Sequence, residues 1–124
     1  RLDGGRLDFR LEGAEGAAYV EVKSITLVED GCGLFPDAPT QRGRRHLELL
    51  TAAARRGFGA FGVFIIQRPD ARAFAPNDAV DPAFGRKLRE AARAGVQVRA
   101  YRCRVSLAEI RLEEPVPVRL GPIV

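Results

Sequence analysis

Two alternating segments joined by a short glycine-bounded link restrict this chain more tightly than anything else in it. Leu7, Phe9 and Leu11 alternate with Asp8, Arg10 and Glu12, the mark of a half-buried strand. Gly13-Ala14-Glu15-Gly16 follows as a hairpin loop. The run from Tyr19 to Leu27 is then rich in β-branched residues and reads as a second strand. Closing the loop symmetrically pairs Glu12 with Ala17, Arg10 with Tyr19 and Asp8 with Glu21 on one face. The other face pairs Leu11 with Ala18, Phe9 with Val20 and Leu7 with Val22, all apolar. A slip of one residue would carry charges into that apolar set, so the pattern specifies the register.

The register has a chemical consequence. Asp8 and Glu21 stand opposite one another with side-chain roots about 4.5–5.5 Å apart, and like charges so placed repel. A hard divalent cation, Mg2+ or Mn2+, removes the conflict because such ions take carboxylate oxygens. Lys23 lies further along the same face as Glu21. Its ammonium is suited to holding a phosphate or activating a water beside the metal. Two acids, a lysine and a metal suit phosphodiester hydrolysis. The same Val-Glu-Val-Lys run also suits any strand with one wet face, and the facing acid sets the chemical reading beside that one. Of 20 basic residues only Lys23 and Lys87 are lysine, so a compact ammonium at position 23 departs from the chain's habit.

A chain of 124 residues supports one compact domain. Its apolar fraction of 46% and charged fraction of 29% are those of a globular protein rather than a disordered one. No apolar run approaches a membrane span and no secretory pattern opens the chain, so a soluble, cytoplasmic protein is expected. The net charge of +4 favours a polyanionic partner. Cys32 and Cys103 lack CxxC spacing and read as free thiols, and one histidine leaves no room for most zinc sites and triads. The start at Arg1-Leu2-Asp3, just before the first strand, suggests a piece of a longer product. Self-association is left open by the sequence.

Beyond the hairpin, residues 29–39 read as a loop with Gly31, Gly33, Pro36 and Pro39. A helix is expected over 40–56, with Leu47, Leu50 and Ala54 as its apolar stripe, Leu49 and Ala53 widening it, and Gly57 as its stop. The apolar run 60–67 suits a central strand buried on both faces. A loop over 68–80 carries Pro69 and Pro76, and Asp70 reads as its turn residue. Asp81-Pro82 opens a second helix that buries Phe84, Leu88, Ala91 and Ala92 and ends at Gly95. Residues 96–105 alternate as a strand, and the proline-rich stretch from Glu113 suits a short edge strand or a tail. Strand, strand, helix, strand, helix, strand is an α/β order. It calls for a mixed central sheet: an N-terminal antiparallel hairpin followed by βαβαβ-type right-handed crossovers.

A second constellation sits at the start of the first helix. Asp37 or Thr40 is placed to cap it, and Arg42, Arg44, Arg45 and His46 crowd its first turns. Cations there oppose the helix dipole. A bound phosphate reverses the sign, since helix N-termini and arginines both hold anions, while a solvated basic helix end with His46 bordering the core remains the plain alternative. Gln67, Arg68 and Asp70 follow the buried strand's end, where open sheets often place ligands.

Leu7-Asp8-Phe9, the Tyr19–Leu27 strand, Phe35-Pro36-Asp37-Ala38, Thr40 and the stretch from Arg42-Gly43 to His46 together resemble the bacterial and archaeal sugar fermentation stimulation proteins. Gln67-Arg68-Pro69-Asp70, Ala94-Gly95-Val96 and Ala100-Tyr101 fit the same pattern. The resemblance implies a restriction-endonuclease-like fold of the PD-(D/E)xK nuclease superfamily over residues 1–124, without the OB-type barrel and first core helix that precede it in the family. It implies that Asp8 and Glu21 bind magnesium and that Lys23 promotes cleavage. It implies DNA as the partner, and the residues read above then give it a site: Arg42, Arg44, Arg45 and His46 to hold the backbone, with Asp37 and Gln67 as accessories. Two functional expectations stand side by side: a magnesium-dependent endodeoxyribonuclease, and a non-catalytic DNA-binding regulator of sugar-utilisation genes. A structural metal-binding or partner-docking domain is a third.

Overall fold

The computed structural model describes residues 9–13, 16–105 and 110–121. In chain order its elements are β1 (Phe9–Gly13), β2 (Gly16–Ile25), β3 (Val28–Glu29), β4 (Cys32–Phe35), α1 (Gln41–Arg55), β5 (Gly59–Ile66), β6 (Ala73–Pro76), α2 (Pro82–Ala94), β7 (Gln97–Val105) and β8 (Ile110–Val116). The main sheet runs β1-β2-β5-β7-β8, and a smaller one runs β3-β4-β6. β1 and β2 are antiparallel, with Phe9 opposite Val20, Arg10 opposite Tyr19, Leu11 opposite Ala18 and Glu12 opposite Ala17, the register that the alternation requires. Leu7 and Asp8, the expected partners of Val22 and Glu21, lie outside the described residues.

β2, β5 and β7 are parallel neighbours, and β8 closes the sheet antiparallel to β7. The chain therefore steps across the sheet in one direction, from β2 through α1 to β5 and through α2 to β7. Two right-handed crossovers in the same direction place both helices on one face. This corrects the expectation of a central strand buried on both sides. On β5 Ala60, Gly62, Phe64 and Ile66 are buried, whereas Phe61, Val63 and Ile65 on the other face are half-buried. The same asymmetry acts on β2, where Tyr19, Glu21 and Ile25 are buried and the apolar Val20 and Val22 are half-buried. The polar face of β2 is thus the one beneath the helices.

The ends of both helices follow from local chemistry. Thr40 Oγ1 accepts from Gly43 N–H at 2.9 Å and caps α1; beyond its end Gly57 has φ +89°, a left-handed conformation that glycine adopts without strain. Asp81 Oδ1 accepts from Phe84 N–H at 3.0 Å, Pro82 begins the first turn of α2, and Gly95 ends it at φ +109°. Leu47, Leu49, Leu50 and Ala53 of α1 pack with Phe84, Leu88 and Ala91 of α2 over Phe64, Ile66 and Ala100 of the sheet. Phe64 and Phe74 stack with ring centroids 4.2 Å apart, and Phe35 lies between Phe64 and Phe84 at 5.8 and 5.2 Å. Burying each such ring contributes about 1.5–3 kcal/mol.

The small sheet replaces two expected loops. Asp30 and Gly31 have φ +51° and +78°, the paired positive angles of a type I′ turn, and they fold β3 onto β4. β4 then pairs in parallel with β6. The C-terminal proline-rich stretch becomes the edge strand β8 and a tail held by Phe74, which bonds Pro117 and Arg119 through the backbone. No helix among the described residues is long and apolar enough to cross a membrane.

Candidate functional site

Glu21 sits in the middle of β2 opposite Gly62 of β5, and only 4% of it is exposed. A buried carboxylate needs charge and hydrogen-bond partners. Two come from residues the sequence had placed in separate groups. Lys23, on the same face of β2, brings Nζ to 2.7 Å from Glu21 Oε2. His46, one turn into α1, brings Nδ1 against the same oxygen. Lys23 Nζ and His46 Nδ1 are 3.1 Å apart. Their side chains are 20% and 6% exposed, so the lysine head reaches towards solvent while the imidazole is enclosed.

The proton placement follows from who can donate. A carboxylate only accepts and an ammonium only donates. If Nδ1 were unprotonated, two acceptors would face each other at the Glu21–His46 contact. Nδ1–H therefore points at Glu21, and Lys23 and His46 are two donors sharing one acceptor. Burial is the largest influence on His46 and holds its pKa below the ordinary value; Glu21 pulls it upward, and Lys23 and Arg42 push it further down. Gly62 adds no side chain beside Glu21, and the recess there is lined by Glu21, Lys23, Gly43, His46, Gly62 and Phe64 among others.

The basic cluster at the start of α1 is divided by the structure. Arg42 and Arg45 are exposed, and Arg45 approaches Glu48 at 3.7 Å. Arg44 is half-buried, 3.7 Å from Asp81 Oδ1. His46 does not share that surface; it is enclosed against Glu21. The charge that the dipole of α1 calls for is supplied within the chain: Asp81 Oδ2 accepts from Thr40 N–H at 2.9 Å. Burial raises the Asp81 pKa, but the N–H groups of Thr40 and Phe84 and the charge of Arg44 outweigh it and leave it below its ordinary value. The sequence marked Asp81 as a cap for one helix and gave no sign that it serves both.

The remaining candidates lie apart. Asp37 is exposed in the turn before α1, and Thr40 takes the capping role that Asp37 was a candidate for. Gln67 Nε2 donates to Ser24 Oγ at 3.2 Å, and Ser24 leaves β2 on the face opposite Lys23. Asp70 occupies a turn and pairs with Arg68 at 2.7 Å. Cys32 is half-buried and Cys103 buried, and no disulfide joins them. Asp8 lies outside the described residues.

Among the described residues no three His, Cys, Asp or Glu side chains gather as a metal site. They supply one hard oxygen ligand, Glu21, of the kind Mg2+ and Mn2+ take, with a cation beside it. A carboxylate oxygen is the donor type that such an ion takes.

Comparison with known proteins places this geometry in a family. The family model described as "Sugar fermentation stimulation protein RE domain" matches residues 1–109. A sugar fermentation stimulation protein homolog of Citrifermentans bemidjiense is 52% identical over 117 residues, covering 94% of this chain and 51% of the relative. The homolog of Moorella thermoacetica is 53% identical over 121 residues, covering 97% of this chain and 52% of the relative. The solved structure of Pyrococcus furiosus SfsA in complex with Ca2+ superposes with a TM-score of 0.91 at 37% identity, covering 96% of this chain and 52% of that one. The chain spans about half the length of these relatives. With its mixed sheet, restriction-endonuclease-like fold and matching sequence, the chain belongs to the sugar fermentation stimulation protein family.

Proposed function

We propose that this domain is the nuclease-like part of a DNA-binding protein and hydrolyses DNA phosphodiesters with Mg2+ or Mn2+. The observation that carries the reading is Lys23 Nζ at 2.7 Å from the buried Glu21 carboxylate. A strand with a merely wet face would not enclose its glutamate beneath a helix. Asp8 and Glu21 are the proposed metal ligands. Bound there, the ion would supply Lewis-acid stabilisation and a more acidic water. Glu21 contributes a fixed hard oxygen. Lys23 orients the attacking water and offsets the negative charge that gathers on the phosphoryl oxygens. Arg42 and Arg45, exposed at the start of α1, hold the DNA backbone without reading bases. The Ca2+ complex of the Pyrococcus furiosus relative supports a hard-cation site in the family.

The test is conversion of supercoiled DNA in Mg2+ by the parent, Lys23→Met and Glu21→Gln. Nicking by the parent and a loss of about a hundredfold or more in each variant is expected. Equal nicking by all three removes the pair from the mechanism. The second reading, DNA binding without turnover, is favoured by the exposed guanidinium groups of Arg42 and Arg45 at the start of α1. It predicts salt-sensitive binding by the parent with no nicking in Mg2+ or Mn2+.

A further inference from the structure

We propose that His46 is a positioning residue for the metal ligand: its Nδ1–H fixes the Glu21 carboxylate in the orientation that meets a divalent cation. The inference rests on the metal-dependent reading above and extends it to a helix-borne residue. A glutamate has three rotatable side-chain bonds, and a metal needs its oxygen held within a fraction of an ångström. Lys23 alone is a poor anchor. It is flexible, and its task in hydrolysis is to act on water and phosphate. His46 is rigid, enclosed and carried on a helix whose start is fastened twice, by Thr40 capping Gly43 and by Asp81 accepting from Thr40. Its ring reaches Glu21 Oε2 from the helix side while Lys23 reaches the same oxygen from along the strand. Fixing one carboxylate oxygen from two directions sets the plane of the group.

The chain's single histidine makes the test direct. Nitrogen NMR of the histidine-labelled protein reads the tautomer without ambiguity, and a proton on Nδ1 is expected. An Nε2–H tautomer overturns the proposal. Mn2+ affinity is then measured by calorimetry on the parent, His46→Ala, His46→Asn and His46→Gln, with thermal unfolding to show that each is folded. Asparagine carries a donor near the place of Nδ1, whereas glutamine carries one near that of Nε2. The alanine and glutamine variants should bind Mn2+ about 10–100-fold more weakly, and the asparagine variant should recover most of that loss. Should His46→Ala fail to fold, the asparagine–glutamine difference decides. Parent-like Mn2+ binding by folded His46→Ala, or equal losses in the asparagine and glutamine variants, sinks the positioning role and leaves the metal reading standing. If the parent binds no Mn2+, the metal reading falls and this inference with it.

Discussion

Thr40 donates its backbone N–H to Asp81 Oδ2 at 2.9 Å across 41 positions of sequence, so the residue that caps α2 also closes the start of α1. The first turn of α1 carries no acidic residue. Asp81 supplies that charge, and Arg44 closes on it at 3.7 Å. The helix starts form one unit, and the His46 ring depends on it for its position over β2.

Asp81→Ala should lower stability by about 2 kcal/mol or more, since it removes a cap and leaves the Thr40 N–H without its acceptor. Its pH signature separates charge from capping. The folded pKa of Asp81 is depressed, so its contribution is complete above the unfolded value, about 3.9, and is lost as pH falls through the folded value. Asp81→Asn keeps a good cap and cannot titrate. Urea unfolding followed from pH 6 downwards should therefore show the parent losing its advantage over Asp81→Asn below about pH 4. Parallel stability curves for the two proteins would mean that the carboxylate's charge contributes nothing.

Gly43 sets two effects against each other. Alanine is favoured over glycine in a helix by about 1 kcal/mol. A Cβ at Gly43 would nonetheless lie 2.8 Å from Thr40 Cγ2, 3.0 Å from Thr40 Oγ1 and 3.3 Å from Phe84 Cε1. The threonine cannot retreat without giving up its cap, so Gly43→Ala should destabilise by about 1–3 kcal/mol. Thr40→Ser removes the Cγ2 contact and keeps the hydroxyl, and combined with Gly43→Ala it should recover part of the loss. A more stable Gly43→Ala single variant would show that the cap has room to move.

How much of this was legible beforehand depends on how local each signal is. The hairpin register, the two helices, their caps and the parallel order follow from period, Pro and Gly, all read within a few residues. The small sheet was missed because β4 and β6 are four residues each and carry Gly33 and Pro76, which suggest loops. The Asp30-Gly31 pair was the available signal for its hairpin. Which face of β2 is covered was not legible from β2 at all, because the direction of both crossovers decides it. His46 was grouped with its arginine neighbours by sequence, and its link to Glu21 is a contact over 25 positions that no local pattern announces.

Lys23 and Glu21 should be energetically coupled. Breaking a buried ion pair by removing one partner is costly, about 3–5 kcal/mol when fully enclosed, and less here because the lysine side chain is 20% exposed. Lys23→Met is therefore expected to cost about 1–3 kcal/mol. In the double variant Lys23→Met/Glu21→Gln the carboxylate's charge is gone as well, so its loss should be smaller than the sum of the single losses. Chemical unfolding of the four proteins measures the difference. Strict additivity would mean that the 2.7 Å contact carries no net interaction.

The arginines at the start of α1 should differ in their effect on DNA binding. Each phosphate contact steepens the salt dependence of log affinity by about 0.9 on duplex DNA. Arg42 is exposed one turn before His46 and close enough to influence it, which puts its charge beside the Glu21 site. Arg45 shares its charge with Glu48, and Arg44 shares its charge with Asp81. Arg42→Ala should therefore lower the salt slope by about one, Arg45→Ala by less, and Arg44→Ala should act mainly on stability. Fluorescence anisotropy with a labelled duplex across a salt series, paired with thermal unfolding, reads both effects. An unchanged slope in Arg42→Ala would move the DNA backbone away from this end of the helix.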